Sequence, residues 1–185
     1  LEITGKYNHI YLIGDESVSH LGKINNVTYV DVSKYRNNDL INKFKKHFIN
    51  YSTNPALFEW LCFERVFILK QFISDMKIEK IFHIDSDNIL LEDINNYQFN
   101  EDIAYLQYNN LGNRFRMSYS IHCALLNKTF CEKFTKLYTD VYINKTKHYL
   151  IKDKIDWHKK TKTPGGICDM TLYYLLVTEK IIKIQ

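Results

Sequence analysis

The segment Lys80-Ile81-Phe82-His83-Ile84-Asp85-Ser86-Asp87-Asn88-Ile89-Leu90-Leu91 constrains this chain more than any other. An apolar strand runs straight into two carboxylates at i and i+2, and a second apolar run follows at once. Burying a carboxylate is costly unless it is paired, hydrogen-bonded or bound to a metal. Two of them at the end of a core strand therefore call for a compensating cation. Mg²⁺-type ions are commonly held by one or two carboxylates plus the phosphates of a ligand, so the segment points to a nucleotide-dependent site.

The rest of the chain reads as alternating elements. His9–Asp15 is a buried strand closing in a Gly-Asp turn, and Val27–Val32 is a second strand. Leu40, Ile41, Phe44 and Phe48 have helical spacing. A long amphipathic helix follows Asn54-Pro55, with Pro55 near its first turn and Leu57, Leu61, Phe67, Ile68, Phe72 and Ile73 as its apolar positions. Further strands are expected at Ile103–Tyr108, Tyr119–Asn127 and Lys180–Ile184. Helices are expected from Thr129 to about Ile143 and from Cys168 to Val177, and residues 144–166 read as a loop, with a short helix as the alternative for part of it. Alternation of this kind predicts a single three-layer α/β/α, Rossmann-like domain over residues 1–185 with a mostly parallel central sheet, whose ligands bind beyond the carboxyl ends of the strands. The opening Leu1 suggests a piece of a longer protein.

Composition narrows the function. The net charge of +4 suits a small polyanion but is no nucleic-acid footprint, and the four arginines do not cluster. Neither G-x-G-x-x-G nor G-x-x-x-x-G-K-[ST] occurs, which argues against a dinucleotide dehydrogenase or a P-loop kinase. Cys62, Cys123, Cys131 and Cys168 are dispersed, with no C-x-x-C pair to suggest zinc and no disulfide framework. A reducing, cytoplasmic compartment is the expectation, and no stretch is apolar enough for a membrane span. Most of the 14 Tyr and 11 Phe are expected to pack a core.

The run Phe63-Glu64-Arg65-Val66-Phe67-Ile68-Leu69-Lys70-Gln71-Phe72, followed by Ile78 to Asp87, resembles the GT-A class of nucleotide-sugar glycosyltransferases. In its glycogenin- and galactosyltransferase-like members an Arg-bearing helix precedes a strand ending in D-x-D. The likeness covers residues 57 to 95, and more loosely Ser120–Asn127 and Cys168-Asp169-Met170-Thr171. It implies transfer of a hexose from a nucleoside-diphosphate sugar, UDP-linked in the first instance, to a glycan, a polysaccharide or another hydroxyl acceptor, with Mn²⁺ or Mg²⁺ as cofactor. By this resemblance Asp87 binds the metal directly, while Asp85 holds the donor ribose and shares the metal. Ser120-Ile121-His122 replaces the family's Asn-Ser-Gly, and the C-terminal His-x-x-Gly-x-x-Lys segment is absent, leaving His158 as a substitute third ligand.

Each remaining candidate has a structural alternative. Arg65 is suited to a phosphate fork or to a fixed ion pair. Asp169 is placed to orient the donor or act as acceptor base, or simply to cap a helix. His122 is an acceptor-side group or a core histidine. Asp15 and Asp31 reach the nucleobase or ribose, or face solvent, and Trp157 and Tyr119 stack on a sugar or pack. Two other readings stand beside transfer. One is a sugar nucleotidyltransferase, although Gly14-Asp15-Glu16-Ser17 is acidic and Gly-poor where that class needs a basic, Gly-rich loop. The other is an inactive nucleotide- or glycan-binding module.

Overall fold

A computed structural model describes residues 8–96 and 107–184. In chain order the elements are β1 (Ile10–Gly14), a 3₁₀ segment (Glu16–Lys23), β2 (Val27–Asp31), α1 (Ser33–Arg36), α2 (Asp39–His47), β3 (Tyr51–Ser52) and α3 (Ala56–Asp75). There follow β4 (Lys80–Ile84), β5 (Gln107–Asn109), β6 (Ser118–Ser120), β7 (Cys123–Asn127), α4 (Lys128–Tyr138), α5 (Tyr149–Thr161), β8 (Gly166–Ile167) and α6 (Asp169–Thr178). A π-helical turn, Thr139–Ile143, continues α4. Caps set several of these boundaries. Asn38 accepts from Ile41 N at 2.9 Å to start α2, and Asn127 accepts from Phe130 N at 2.8 Å to start α4.

The sheet expectation fails. The described strands form four separate two-stranded pairs: β1 with β2 in parallel, and β3 with β8, β4 with β7 and β5 with β6 antiparallel. Among the described residues there is no extended parallel central sheet, so the architecture is not the three-layer, Rossmann-like one that alternation predicts. The physical reason is that strand pairing is non-local. Each strand's apolar pattern specifies that it must be covered, and helices do much of the covering.

Helix α3 is the spine of that cover. It buries Phe63, Val66, Phe67, Ile68, Leu69, Phe72 and Ile73. Around it lies an aromatic core in which Phe67 meets Phe44 at 4.9 Å and Tyr138 at 5.3 Å, while Tyr138 stacks on Tyr142 at 4.5 Å. The aromatic richness of the sequence is thus largely core. Tyr119 and Trp157 also pack: Tyr119 against Tyr108 and Tyr174, Trp157 against Phe115.

Other local expectations need correction. Residues 149–161 of the expected loop form α5, whose buried Ile151 and Ile155 recur at i and i+4. The single strand expected over Tyr119–Asn127 is broken at Ile121-His122 into β6 and β7. No strand forms at 180–184; Lys180 adopts a left-handed φ of 54° that turns the chain as α6 ends. The strand expected at Ile103–Tyr108 lies mostly outside the described residues.

Candidate functional site

Strand β4 delivers Asp85 and Asp87 to the edge of a cleft of about 1840 Å³. The cleft is lined by β1, by β4 and the turn after it, by one face of α3, and by the start of α6. Both β1 and β4 are only half-buried, and residues along the whole of each line this space. Its walls are apolar along Tyr11, Ile13, Ile68, Phe72 and Ile81; its polar end holds Arg65, Asp85, His122 and Asp169, joined by hydrogen bonds, with Asp87 two residues on, and Asp15 also lines it. Apolar walls with a few converging polar groups are the usual composition of a small-ligand site.

The turn carrying the two carboxylates is pinned from below. The His122 carbonyl accepts from Asp85 N at 2.8 Å and from Asn88 Nδ2 at 2.9 Å. The break between β6 and β7 is what frees that carbonyl, so His122 enters the site through its backbone. Its ring is engaged by Ser120 Oγ at 2.6 Å from Nδ1. His83, one turn of the pleat earlier, bonds the Ile121 carbonyl through Nδ1 at 2.6 Å and lies 3.8 Å from Asp85. Burial lowers the His83 pKa, and Arg65 acts in the same direction, so the ring is neutral near neutral pH.

Arg65 organises the polar end. One guanidinium nitrogen donates to Asp85 at 2.9 and 3.2 Å, and the other donates to Asp169 at 2.8 Å. Burial works against its charge, but Tyr173, Asp169 and Asp85 together outweigh that and hold the pKa above the ordinary arginine value. Asp169 is the first residue of α6, as its sequence context predicts, yet it is buried, with only 4% of its side chain exposed. Its Oδ2 also accepts from the Tyr173 hydroxyl at 3.0 Å, and its Oδ1 accepts from Met170 N at 2.8 Å. Geometrically Asp169 anchors Arg65, and through it Asp85. Asp87 is different: it is exposed at the cleft edge and has no hydrogen-bonding or ionic partner among the described residues. Two hard oxygen donors, one fixed and one free, suit Mg²⁺ or Mn²⁺ bridged to phosphate oxygens.

Not all sequence candidates converge. Asp15 reaches the cleft, where it caps the 3₁₀ segment by accepting from Ser17 N at 3.0 Å; the Ser17 hydroxyl and backbone bonds lower its pKa. Asp31 sits at the end of β2, accepts from Ser33 N at 2.8 Å, and does not line the cleft. The same Ser33 contacts lower the Asp31 pKa. His158 lies on α5, bonded to the Thr163 carbonyl at 3.0 Å, and is not at the cleft with Asp85 and Asp87.

Sequence reasoning missed a second polar group on α3. Glu59 and Glu64 are each about 1% exposed and line the cleft. Glu64 is paired with Arg36 at 2.9 Å. Glu59 accepts from Asn54 Nδ2 at 2.7 Å, and burial raises its pKa against the opposing effect of Ser52 and Asn54. Cys168 lies next to it, its thiol pushed by burial to about 11, and burial takes Cys62 to about 12. Lys154 bonds Thr171 Oγ1 at 2.9 Å and has its pKa lowered by burial. A signal for these residues did exist. Between Leu57 and Leu69 the only charged residues are Glu59, Glu64 and Arg65, and a helix that is apolar on nearly every side must bury the few charges it carries.

No family model, curated protein or solved structure matches this chain. The four cysteines are all free. Among the described residues no helix is long and apolar enough to cross a membrane.

Proposed function

We propose that this protein is a divalent-metal-dependent glycosyltransferase that moves a hexose from a nucleoside-diphosphate sugar, in the first instance a UDP-sugar, to a hydroxyl of a glycan acceptor. The observation that carries the reading is the contrast between Asp85 and Asp87: one is locked to Arg65, and the other stands exposed and unpartnered at the edge of a cleft of about 1840 Å³. Asp87 would take Mn²⁺ or Mg²⁺ directly, and the ion would neutralise charge growing on the leaving diphosphate. Asp85, both of whose oxygens accept from Arg65, would turn a further lone pair to the ion or to the donor ribose. Asp15 borders the same cleft and is available to the nucleoside.

A binding module without turnover is the rival, favoured by one observation. Among the described residues no third metal-ligating side chain joins Asp85 and Asp87. Mg²⁺-type sites completed by phosphates need none, so transfer remains the better reading.

The test is thermal. Mn²⁺ with UDP should raise the melting temperature of the protein, and Asp87→Ala should remove the rise. A rise that survives in Asp87→Ala would sink the proposed metal site. Donor hydrolysis across a panel of nucleotide sugars then separates the readings: turnover supports transfer, whereas metal-dependent binding with no turnover on any donor supports the binding module.

A further inference from the structure

Glu59, Cys168 and Asp169 each offer a ligand atom, and the three atoms lie within 4.8 Å of one another. Glu59 comes from the first turn of α3, Cys168 and Asp169 from the start of α6, and all three line the cleft. A buried acidic group of this sort needs a reason, and Glu59 supplies a specific question. It is 1% exposed; Asn54 satisfies Oε1, and although the Ser52 hydroxyl favours the charged form, Oε2 is buried with no hydrogen-bond partner among the described residues. Leaving a buried carboxylate oxygen unpaired costs about 1–3 kcal/mol or more, which a bound cation would remove.

We propose that Glu59, Cys168 and Asp169 form a second divalent-cation site, distinct from Asp85 and Asp87, that takes a borderline-soft ion such as Zn²⁺ with one thiolate and two carboxylate ligands. The donor set argues for that class of ion. Sulfur selects Zn²⁺ over Mg²⁺, whose ligands are oxygens. Three protein ligands facing a cleft leave a fourth tetrahedral position for water or a ligand oxygen. Zn–S and Zn–O bonds of about 2.3 and 2.1 Å place tetrahedral donors roughly 3.4–3.6 Å apart, so the three donors need close by only about 1 Å on binding. Asp169 Oδ1 has a single hydrogen bond, from Met170 N, and keeps a lone pair for the ion. A divalent ion also offsets charge: Arg65 is a single cation shared by Asp85 and Asp169, and the ion adds two positive charges against Glu59 and the Cys168 thiolate. The site was invisible to cysteine spacing because its ligands lie over a hundred residues apart in sequence.

The test uses Co²⁺, whose thiolate complexes absorb strongly in the near ultraviolet. Titrating Co²⁺ into the protein with its thiols reduced should give a thiolate-to-Co²⁺ charge-transfer band that saturates at one ion per chain. The band should vanish in Cys168→Ser and persist in Cys62→Ser and in Asp87→Ala. Glu59→Gln preserves shape and should weaken Zn²⁺ binding, read by competition with a chromophoric chelator, by more than ~100-fold, since even outer partners of metal ligands are worth ~10–100-fold. Absence of the band in the wild-type protein, its persistence in Cys168→Ser, or unchanged Zn²⁺ affinity in Glu59→Gln would overturn the proposal. The last result would mean that Glu59 is simply a protonated acid against the thiol. Because the readout is a thiolate band, it is blind to the Asp85/Asp87 site, so the two readings fail separately.

Discussion

Replacing Arg65 by methionine should be among the most damaging single changes to the described part of this fold, and its cost can be divided between two carboxylates. Arg65 is about three-quarters buried and bonds Asp169 at 2.8 Å and Asp85 at 2.9 Å. Asp169 has only 4% of its side chain exposed, so removing its cation leaves a charge in a low-dielectric site with just the Tyr173 hydroxyl and Met170 N–H to hold it. Stripping one partner from a buried pair costs about 3–5 kcal/mol. Asp85 has 32% of its side chain exposed and can rehydrate, so its share is under ~1 kcal/mol. Arg65→Met should therefore lose about 3–6 kcal/mol, a fall of roughly 6–24 °C in melting temperature for a chain of this size. Asp85→Asn should lose only up to ~4 °C by the same conversion. Calorimetry or thermal circular dichroism measures both. The decisive control is Arg65→Met with Asp169→Asn, which removes the stranded charge and should recover at least half of the loss. If Arg65→Met melts within ~2 °C of the wild type, or the double variant is no better than the single one, the buried-charge account is wrong.

Three other expectations follow from packing. Among the described residues the hydroxyls of Tyr138 and Tyr142 are buried without hydrogen-bond partners, so either Tyr→Phe change should stabilise by about 1 kcal/mol; a loss of stability would mean that a partner is present in solution. At Gly166, with φ of +148°, an added Cβ would lie 2.1 Å from the Tyr51 carbonyl oxygen, and backbone cannot yield as a side-chain tip can. Gly166→Ala should cost about 2 kcal/mol or more in denaturant unfolding, and an unchanged midpoint would refute the β3–β8 approach. Burial pushes the Cys131 thiol up to about 12, so at pH 8 its thiolate fraction is about 10⁻⁴. Alkylation of the native protein should leave Cys131 unmodified and reach it only in denaturant; labelling at the rate of a free thiol would contradict its burial.

Local features were legible because their causes are local. The helical spacing at Leu40, Ile41 and Phe44 falls on α2, α4 starts at Lys128 against the Thr129 expected, and Pro55 sits at the N-cap of α3, one residue ahead of the first turn expected for it. Strand β4 ends at Ile84, immediately before the two carboxylates, as its apolar run requires. Misreadings arose where distant partners decide. Helix α5 has only two buried positions and a charged, lysine-rich surface, so its sequence looks like loop until Ile151 and Ile155 meet their neighbours. His122 lay in an apolar run that reads as unbroken strand, and the break falls where its carbonyl accepts from Asp85 N and Asn88 Nδ2, groups distant in sequence.

The sequence by itself determined that two carboxylates stand at the end of an apolar strand, that an arginine helix precedes them, and that the chain has enough aromatic side chains for a dense core. Tertiary structure alone decided which strands pair, and it chose four separate pairs over one parallel sheet. It also decided that Arg65 reaches Asp169 across 104 residues and joins it to Asp85, that His158 stays away from the cleft, and that Glu59 meets Cys168. The physical reason is the same in each case. Periodicity and capping energies act within a few residues, whereas strand pairing, ion pairing and metal-ligand geometry depend on contacts whose closure the local sequence does not encode.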